Sequence, residues 1–153
     1  MVEFSIRQLI VEGQLAGVRP GDSRDRVREL LGVPGDWGAG KRVDVAGIWR
    51  YGNFEVHFDG AVAWMLFTDY LDALDAGPGR RLDSWFVTPG NVPSPAAVLE
   101  HLRAEQIPFV IERDVLDRRV VRIDGGACLA FGSDEDCEDS PESWFAIEVK
   151  RPG

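Results

Sequence analysis

The chain has 153 residues, 44% of them hydrophobic, which is enough to bury a core without disulfide or metal support. Its 26 acidic residues outnumber the 17 basic ones, and the formal net charge is -9. Nucleic acids and anionic membranes are bound by clustered Lys and Arg, so this balance argues against both kinds of partner, whereas a basic protein would be attracted.

Targeting signals are not evident in the sequence. The N-terminal segment MVEFSIRQLIVEG has no basic leader, and no stretch approaches the roughly 20 apolar residues of a membrane-spanning helix. These features predict a cytoplasmic protein. Two cysteines do not make a disulfide framework: Cys128, in an apolar run, is expected to be buried, and Cys137 lies among acidic residues that suppress thiolate formation.

Two short helices are predicted near the N-terminus. Ser5 and Gln8 form a capping box in front of an apolar stripe at helical spacing, and Gly13 is a plausible stop. The second helix runs from about residue 23 to 31, with Ser23 or the preceding Asp as its cap and Gly32 at its end. Residues 35–44 are then expected to form a Gly-rich loop.

An antiparallel meander is the clearest pattern in the chain. Three strand-like runs occupy residues 48–51, 54–58 and 61–67. Gly52-Asn53 separates the first two and Asp59-Gly60 the last two, and both dipeptides tolerate the positive φ angles that tight hairpin turns require. In the middle strand the apolar and polar residues alternate, which indicates one packed face and one face toward water.

The second half repeats the order of helix and then strands. After a connector over residues 69–81 and a candidate strand within 82–88, Ser94-Pro95 begins a helix that runs to about Gln106. Strands are predicted at residues 109–113, 119–124, 127–131 and 144–150. The sequence therefore predicts an α+β fold, an antiparallel β-sheet with helices packed on one face. It forms either two tandem units, over residues 1–76 and 77–153, or one continuous domain.

Residues 13–67 also resemble a known family. The segments that show the resemblance are GVRPGDSRDRVRELLGVP at 17–34, IWRYG at 48–52 and FEVHFDG at 54–60. They look like the SmpA/OmlA family of small outer-membrane lipoproteins and the structurally similar β-lactamase inhibitory protein. The resemblance implies helix-helix-sheet units whose concave sheet grips a protein. The lipidated cysteine of the lipoproteins has no counterpart here, and the helix signature is lacking in the second half.

The sequence contains no spacing of residues that is typical of a catalytic or metal-binding site. The two histidines, His57 and His101, have no Cys or His at metal-ligand spacing. There is no Gly-x-Ser-x-Gly nucleophile elbow and no phosphate-binding Gly-rich loop before a helix. We therefore predict a protein that is not an enzyme and that has no catalytic residues, no metal and no cofactor.

An acidic run near the C-terminus has three possible roles. It contains Asp134, Glu135 and Asp136, followed by further acidic residues. It could be a solvated loop, a calcium site or a docking loop for a basic partner, although the residue order of an EF-hand is absent. We include these three residues among the candidate partner-binding residues.

The remaining candidates lie in or near the meander. If the apolar residues of the middle strand face the helices, Glu55 and His57 face away from them. Some of the neighbouring aromatics would then form either an exposed strip or part of the core, and the residues concerned are Trp49, Tyr51 and Trp64. Trp37, in the Gly-rich loop, is the candidate for an exposed anchor.

Three functions are compatible with these features. The first is a cytoplasmic protein-binding module, an inhibitor or an immunity-type protein that sequesters a partner. The second is an accessory subunit of a larger assembly. The third is a small-ligand-binding protein or an enzyme, which requires a pocket with several converging polar groups. Small size, acidity and the absence of a catalytic set favour the first.

Overall fold

The structure is a computed structural model that describes residues 1–133 and 141–151. Within these ranges it has three α-helices, ten strands and one 3-10 turn. The helices are α1 (Ile6–Glu12), α2 (Arg24–Leu31) and α3 (Pro95–Ala104), and the turn is Leu71–Ala73. The strands are β1 (Val2–Ser5), β2 (Asp36–Gly38), β3 (Ile48–Tyr51), β4 (Phe54–Asp59), β5 (Val62–Thr68), β6 (Arg80–Asp83), β7 (Phe109–Arg113), β8 (Arg119–Ile123), β9 (Cys128–Gly132) and β10 (Ser143–Lys150).

Each helix begins at a serine whose side chain caps it. The hydroxyl of Ser5 accepts a hydrogen bond from the Gln8 amide at 3.1 Å, and those of Ser23 and Ser94 do the same for α2 and α3. Gly13 ends α1 in the left-handed conformation, at φ 66°. The caps predicted from the sequence are confirmed. None of the helices in the described ranges is long and apolar enough to cross a membrane.

Eight strands form one antiparallel sheet in the order β2-β3-β4-β5-β10-β9-β8-β7. Strands β2–β5 form one meander and strands β7–β10 form a second one. The two meanders lie side by side and meet at β5 and β10, the last strand of each. There β5 and β10 are paired, with Phe67 opposite Glu148. Strands from residues 1–76 and from 77–153 therefore belong to the same sheet.

Two strands were missed from the sequence, and a third was misplaced. β1 and β6 form a separate parallel pair, with Phe4 opposite Leu82. β6 is the misplaced strand, because the sequence predicted a strand within 82–88. β2 lies inside the predicted loop 35–44 and pairs with β3. Both missed strands are short, at four and three residues, so neither shows enough alternation for a pattern to be recognised.

The hydrophobic core lies between the eight-stranded sheet and the helices. The sheet contributes alternate residues of its strands to the core, such as Phe54, Val56 and Phe58 of β4, which are almost fully buried. The helices contribute Leu9, Val27, Leu102 and their neighbours. The predicted α+β fold, an antiparallel sheet with helices on one face, is confirmed.

Candidate binding face

The opposite side of the sheet, which we call the outer face, carries a single row of residues across all eight strands. Successive strand pairings place each of these residues directly beside the next. The row is Asp36, Arg50, Glu55, Phe67, Glu148, Cys128, Arg122 and Val110. None of its members belongs to the hydrophobic core. The outer face is therefore a second, distinct surface of the same sheet.

Glu55 and His57 form the centre of a polar network on the outer face. The Nε2 atom of His57 lies 2.7 Å from the Glu55 carboxylate, and both side chains are about four-fifths buried. The Arg50 guanidinium lies 3.6 Å from the same carboxylate and 3.1 Å from that of Asp36. The sequence predicted that Glu55 and His57 share a face, and the pairing of β3 with β4 adds the arginine.

Two aromatic rings flank the imidazole. Trp64 and Phe67 each meet His57 edge-on, with ring centroids 6.1 Å away. Trp64 lies at an irregularity where β5 changes register, because His57 faces Met65 and the next residue of β4 faces Ala63. Such a bulge re-aims a side chain, and here it places a 38% exposed indole beside His57.

Asp69 lies close to the Glu55 carboxylate of this network. The pKa of Asp69 is raised, chiefly because burial disfavours its charged form and also because the Glu55 carboxylate is close.

Two of the predicted binding residues belong instead to the core. Trp49 and Tyr51 are fully buried. The indole of Trp49 donates to the Val43 carbonyl at 2.6 Å, and the Tyr51 hydroxyl donates to the Gly32 carbonyl at 2.9 Å. Burial raises the pKa of Tyr51. Their assignment to a partner-binding surface is thus corrected, because both point toward the helices.

Trp37 is exposed but lies on the other side of the sheet. It faces Trp49 across β2 and β3, so it shares the helix-side face with that core residue. Its exposure, 38%, equals that of Trp64, and its indole donates to the Lys41 carbonyl at 3.2 Å. Of the predicted residues, the structure brings together Glu55, His57 and Trp64. Asp134, Glu135 and Asp136 lie outside the described residues.

A groove of about 790 Å³ extends from the second half of the outer face to the end of α1, where Glu12 and Gly13 line it. Its floor includes Cys128, which is half-buried and not enclosed as predicted, and Ala130. Burial and the nearby Glu148 carboxylate raise the pKa of the Cys128 thiol. Three ion pairs lie at the groove: Arg118 with Asp114 at 2.9 Å, Arg122 with Glu112 at 2.7 Å and Lys150 with Glu148 at 3.5 Å. These ion pairs give the groove a polar lining.

Sequence reasoning missed Arg50, Phe67 and Met65 as members of the outer face. The signal that finds Arg50 is register: the turn between β3 and β4 fixes their pairing, so Arg50 must face Glu55. The turn between β4 and β5 alone would place Leu66 opposite Glu55, but the bulge shifts the pairing by one residue, so that Phe67 faces Glu55 and Met65 faces His57. The residues of β9 and β10 could not be added in this way, because no turn fixes their register against β5.

Within the described residues, no group of three or more His, Cys, Asp or Glu side chains is placed to hold a metal ion. The sequence matches no protein-family model, and neither a curated protein nor a solved structure is similar enough to it to count as a match.

Proposed function

We propose that this protein is a non-catalytic binding module of the inhibitor or immunity type, which sequesters a basic partner protein on the outer face of its sheet. The observation that carries this proposal is the cluster of Glu55, His57, Trp64 and Phe67. None of these four side chains belongs to the hydrophobic core between the sheet and the helices.

The composition of this cluster resembles that of a protein-binding hot spot. Partly exposed aromatic residues supply apolar contact area, and surrounding polar groups supply orientation. Trp64 and Phe67 fill the first role, and the Glu55–His57 pair with Arg50 fills the second. A helix or strand of a partner could lie along the row that crosses the sheet.

Charge and resemblance add independent support. The formal charge of -9 attracts basic proteins and would steer them toward the molecule. The resemblance of residues 13–67 to the SmpA/OmlA and β-lactamase inhibitory protein group implies a sheet that grips a protein. An accessory subunit of a larger assembly would use the same face. Unlike an inhibitor, such a subunit would stay permanently bound to its partner.

Replacement of Trp64 by alanine is expected to weaken partner binding, while replacement of Trp37 leaves it unchanged. The two indoles are equally exposed, at 38%, but lie on opposite faces of the sheet. An interface tryptophan removed from a hot spot typically costs about 2 kcal/mol or more, roughly thirtyfold in Kd. Tagged wild-type protein would capture its partner from native lysate, and mass spectrometry would identify it.

Titration calorimetry with the purified partner then compares the two variants. Loss of affinity in Trp37→Ala alone would place the interface on the helix side of the sheet and contradict the proposal. If no protein is captured at any salt concentration, the binding-module function is wrong, and small-ligand screening of the groove beside Cys128 follows. A partner that separates only on denaturation would instead favour the accessory-subunit function.

A further inference from the structure

The strand β7 is an edge of the eight-stranded sheet, and its first three residues are apolar. Among residues 1–133 and 141–151 it pairs only with β8, in a regular register without a bulge. Val110 and Ile111 are 50% and 43% exposed. Natural sheets usually protect such edges with charges, prolines or bulges. The opposite edge, β2, has only three residues and carries the Asp36–Arg50 ion pair, so it offers far less backbone.

The hydrogen-bonding direction of β7 follows from its neighbours. The Asp114 amide donates to the Arg118 carbonyl at 2.9 Å, and on the other side of β8 the Ile123 amide donates to the Ala127 carbonyl at 2.9 Å. Because backbone groups alternate along a strand, the even-numbered residues of β7 bond to β8. The amide and carbonyl groups of Phe109, Ile111 and Arg113 therefore point outward from the sheet.

We infer that a second copy of this chain pairs with β7 in antiparallel fashion, across a two-fold axis at Val110. In this arrangement Val110 faces Val110 of the second copy, and Phe109 faces Ile111 of the second copy. The outward amide and carbonyl groups of Phe109 and Ile111 then bond reciprocally to those of the second copy. Two eight-stranded sheets become one continuous sheet, with both outer faces on the same side.

The sequence of β7 selects this occupant and this register. Phe109, Val110 and Ile111 form an apolar triplet that is symmetric about its centre, so antiparallel pairing places apolar residues only against apolar residues. An axis at Glu112 would place two carboxylates against each other, and an axis at Ile111 would place Glu112 against Val110. The Val110 axis keeps like charges apart, and Glu112 stays paired with Arg122 of its own chain.

Charge substitution at Val110 tests the axis. Sedimentation velocity of the full chain over a concentration series is expected to show a monomer–dimer equilibrium. Val110→Lys and Val110→Glu should each weaken dimerisation by more than about tenfold, because like charges then face each other. An equimolar mixture of these two variants should restore the dimer as a heterodimer, since Lys then faces Glu.

Several results would overturn the inference. Wild-type protein that stays monomeric at every concentration excludes it. If Val110→Lys strengthens the dimer, the axis lies at Ile111, where the lysine would meet Glu112. If neither charge has an effect, the dimer uses another surface.

Two further variants separate an edge effect from a folding defect. Ile111→Pro removes an outward amide that β8 does not use, so the monomer is expected to keep its circular dichroism spectrum and the dimer to be lost. Val115→Ser, in the turn after β7, removes a fully exposed side chain away from the paired edge. It is expected to leave dimerisation unchanged, and a loss there would contradict edge pairing.

Discussion

Replacing Gly52 with alanine is expected to lower the free energy of unfolding by about 3 kcal/mol, from backbone strain and steric overlap together. Gly52 has a φ of +63°, and a Cβ atom there would lie 2.0 Å from the Asp75 carbonyl oxygen. That oxygen cannot retreat easily, because it accepts a hydrogen bond from the Asn53 amide at 2.9 Å. Urea unfolding followed by circular dichroism measures the change.

Gly60 provides a matched control at the other end of the same strand. Its φ is +61°, nearly that of Gly52, but no atom would lie within 4 Å of an added Cβ. Gly60→Ala is therefore expected to cost only the left-handed conformation, about 1 kcal/mol. Equal losses in the two variants would show that the contact with the 73–77 segment adds nothing to the conformational cost.

This comparison shows what the sequence can and cannot reveal about a turn. Gly52-Asn53 was recognised as a hairpin turn because the requirement for positive φ is local. The docking of that turn is not local: the Asn53 side chain donates to the Ala73 carbonyl at 2.6 Å and accepts from the Asp75 amide at 2.9 Å. No pattern in residues 48–58 reveals that a segment twenty residues later packs against them.

The same distinction applies to the sheet as a whole. Apart from β2, the strands of both meanders were predicted within one or two residues, because tight turns and alternating polarity define them. The pairing of β5 with β10 joins residues about 80 positions apart, and no turn specifies it. The parallel pairing of β1 with β6 is equally distant in the chain. These long-range contacts decide the fold, and they depend on packing in three dimensions.

The candidate site was partly predictable for related reasons. Alternation in β4 correctly assigned Glu55 and His57 to the face away from the core. Alternation could not assign Trp49 and Trp64 to a face of the sheet, since an aromatic residue suits either face of a strand. Register resolves them: Trp49 faces Val56 and is buried, whereas the bulge in β5 turns Trp64 toward His57. The sequence does not mark that bulge with a glycine or proline.

Replacement of Trp49 by alanine is expected to be as damaging as any single change in the core, at about 4 kcal/mol of lost stability. The side chain is fully buried, and its ring centroid lies 4.6 Å from that of Phe58. The guanidinium groups of Arg24 and Arg28 lie 5.4 and 5.3 Å from the centre of the ring. Alanine would leave a cavity where α2 meets β3, and denaturant unfolding measures the loss.

Trp49→Phe and Trp37→Ala separate the contributions to this effect. Phenylalanine keeps much of the buried area but leaves the Val43 carbonyl without the indole donor, so an intermediate loss of about 2 kcal/mol is expected. Trp37 stands directly opposite Trp49 but is 38% exposed, and its replacement should cost about 1 kcal/mol or less. If Trp37→Ala were as destabilising as Trp49→Ala, the edge strand β2 would be an integral part of the core, and the contrast between the two residues would be wrong. The expected order is Trp49→Ala above Trp49→Phe above Trp37→Ala. The difference between the two positions follows from burial, and the difference between the two Trp49 variants follows from the buried volume that phenylalanine retains.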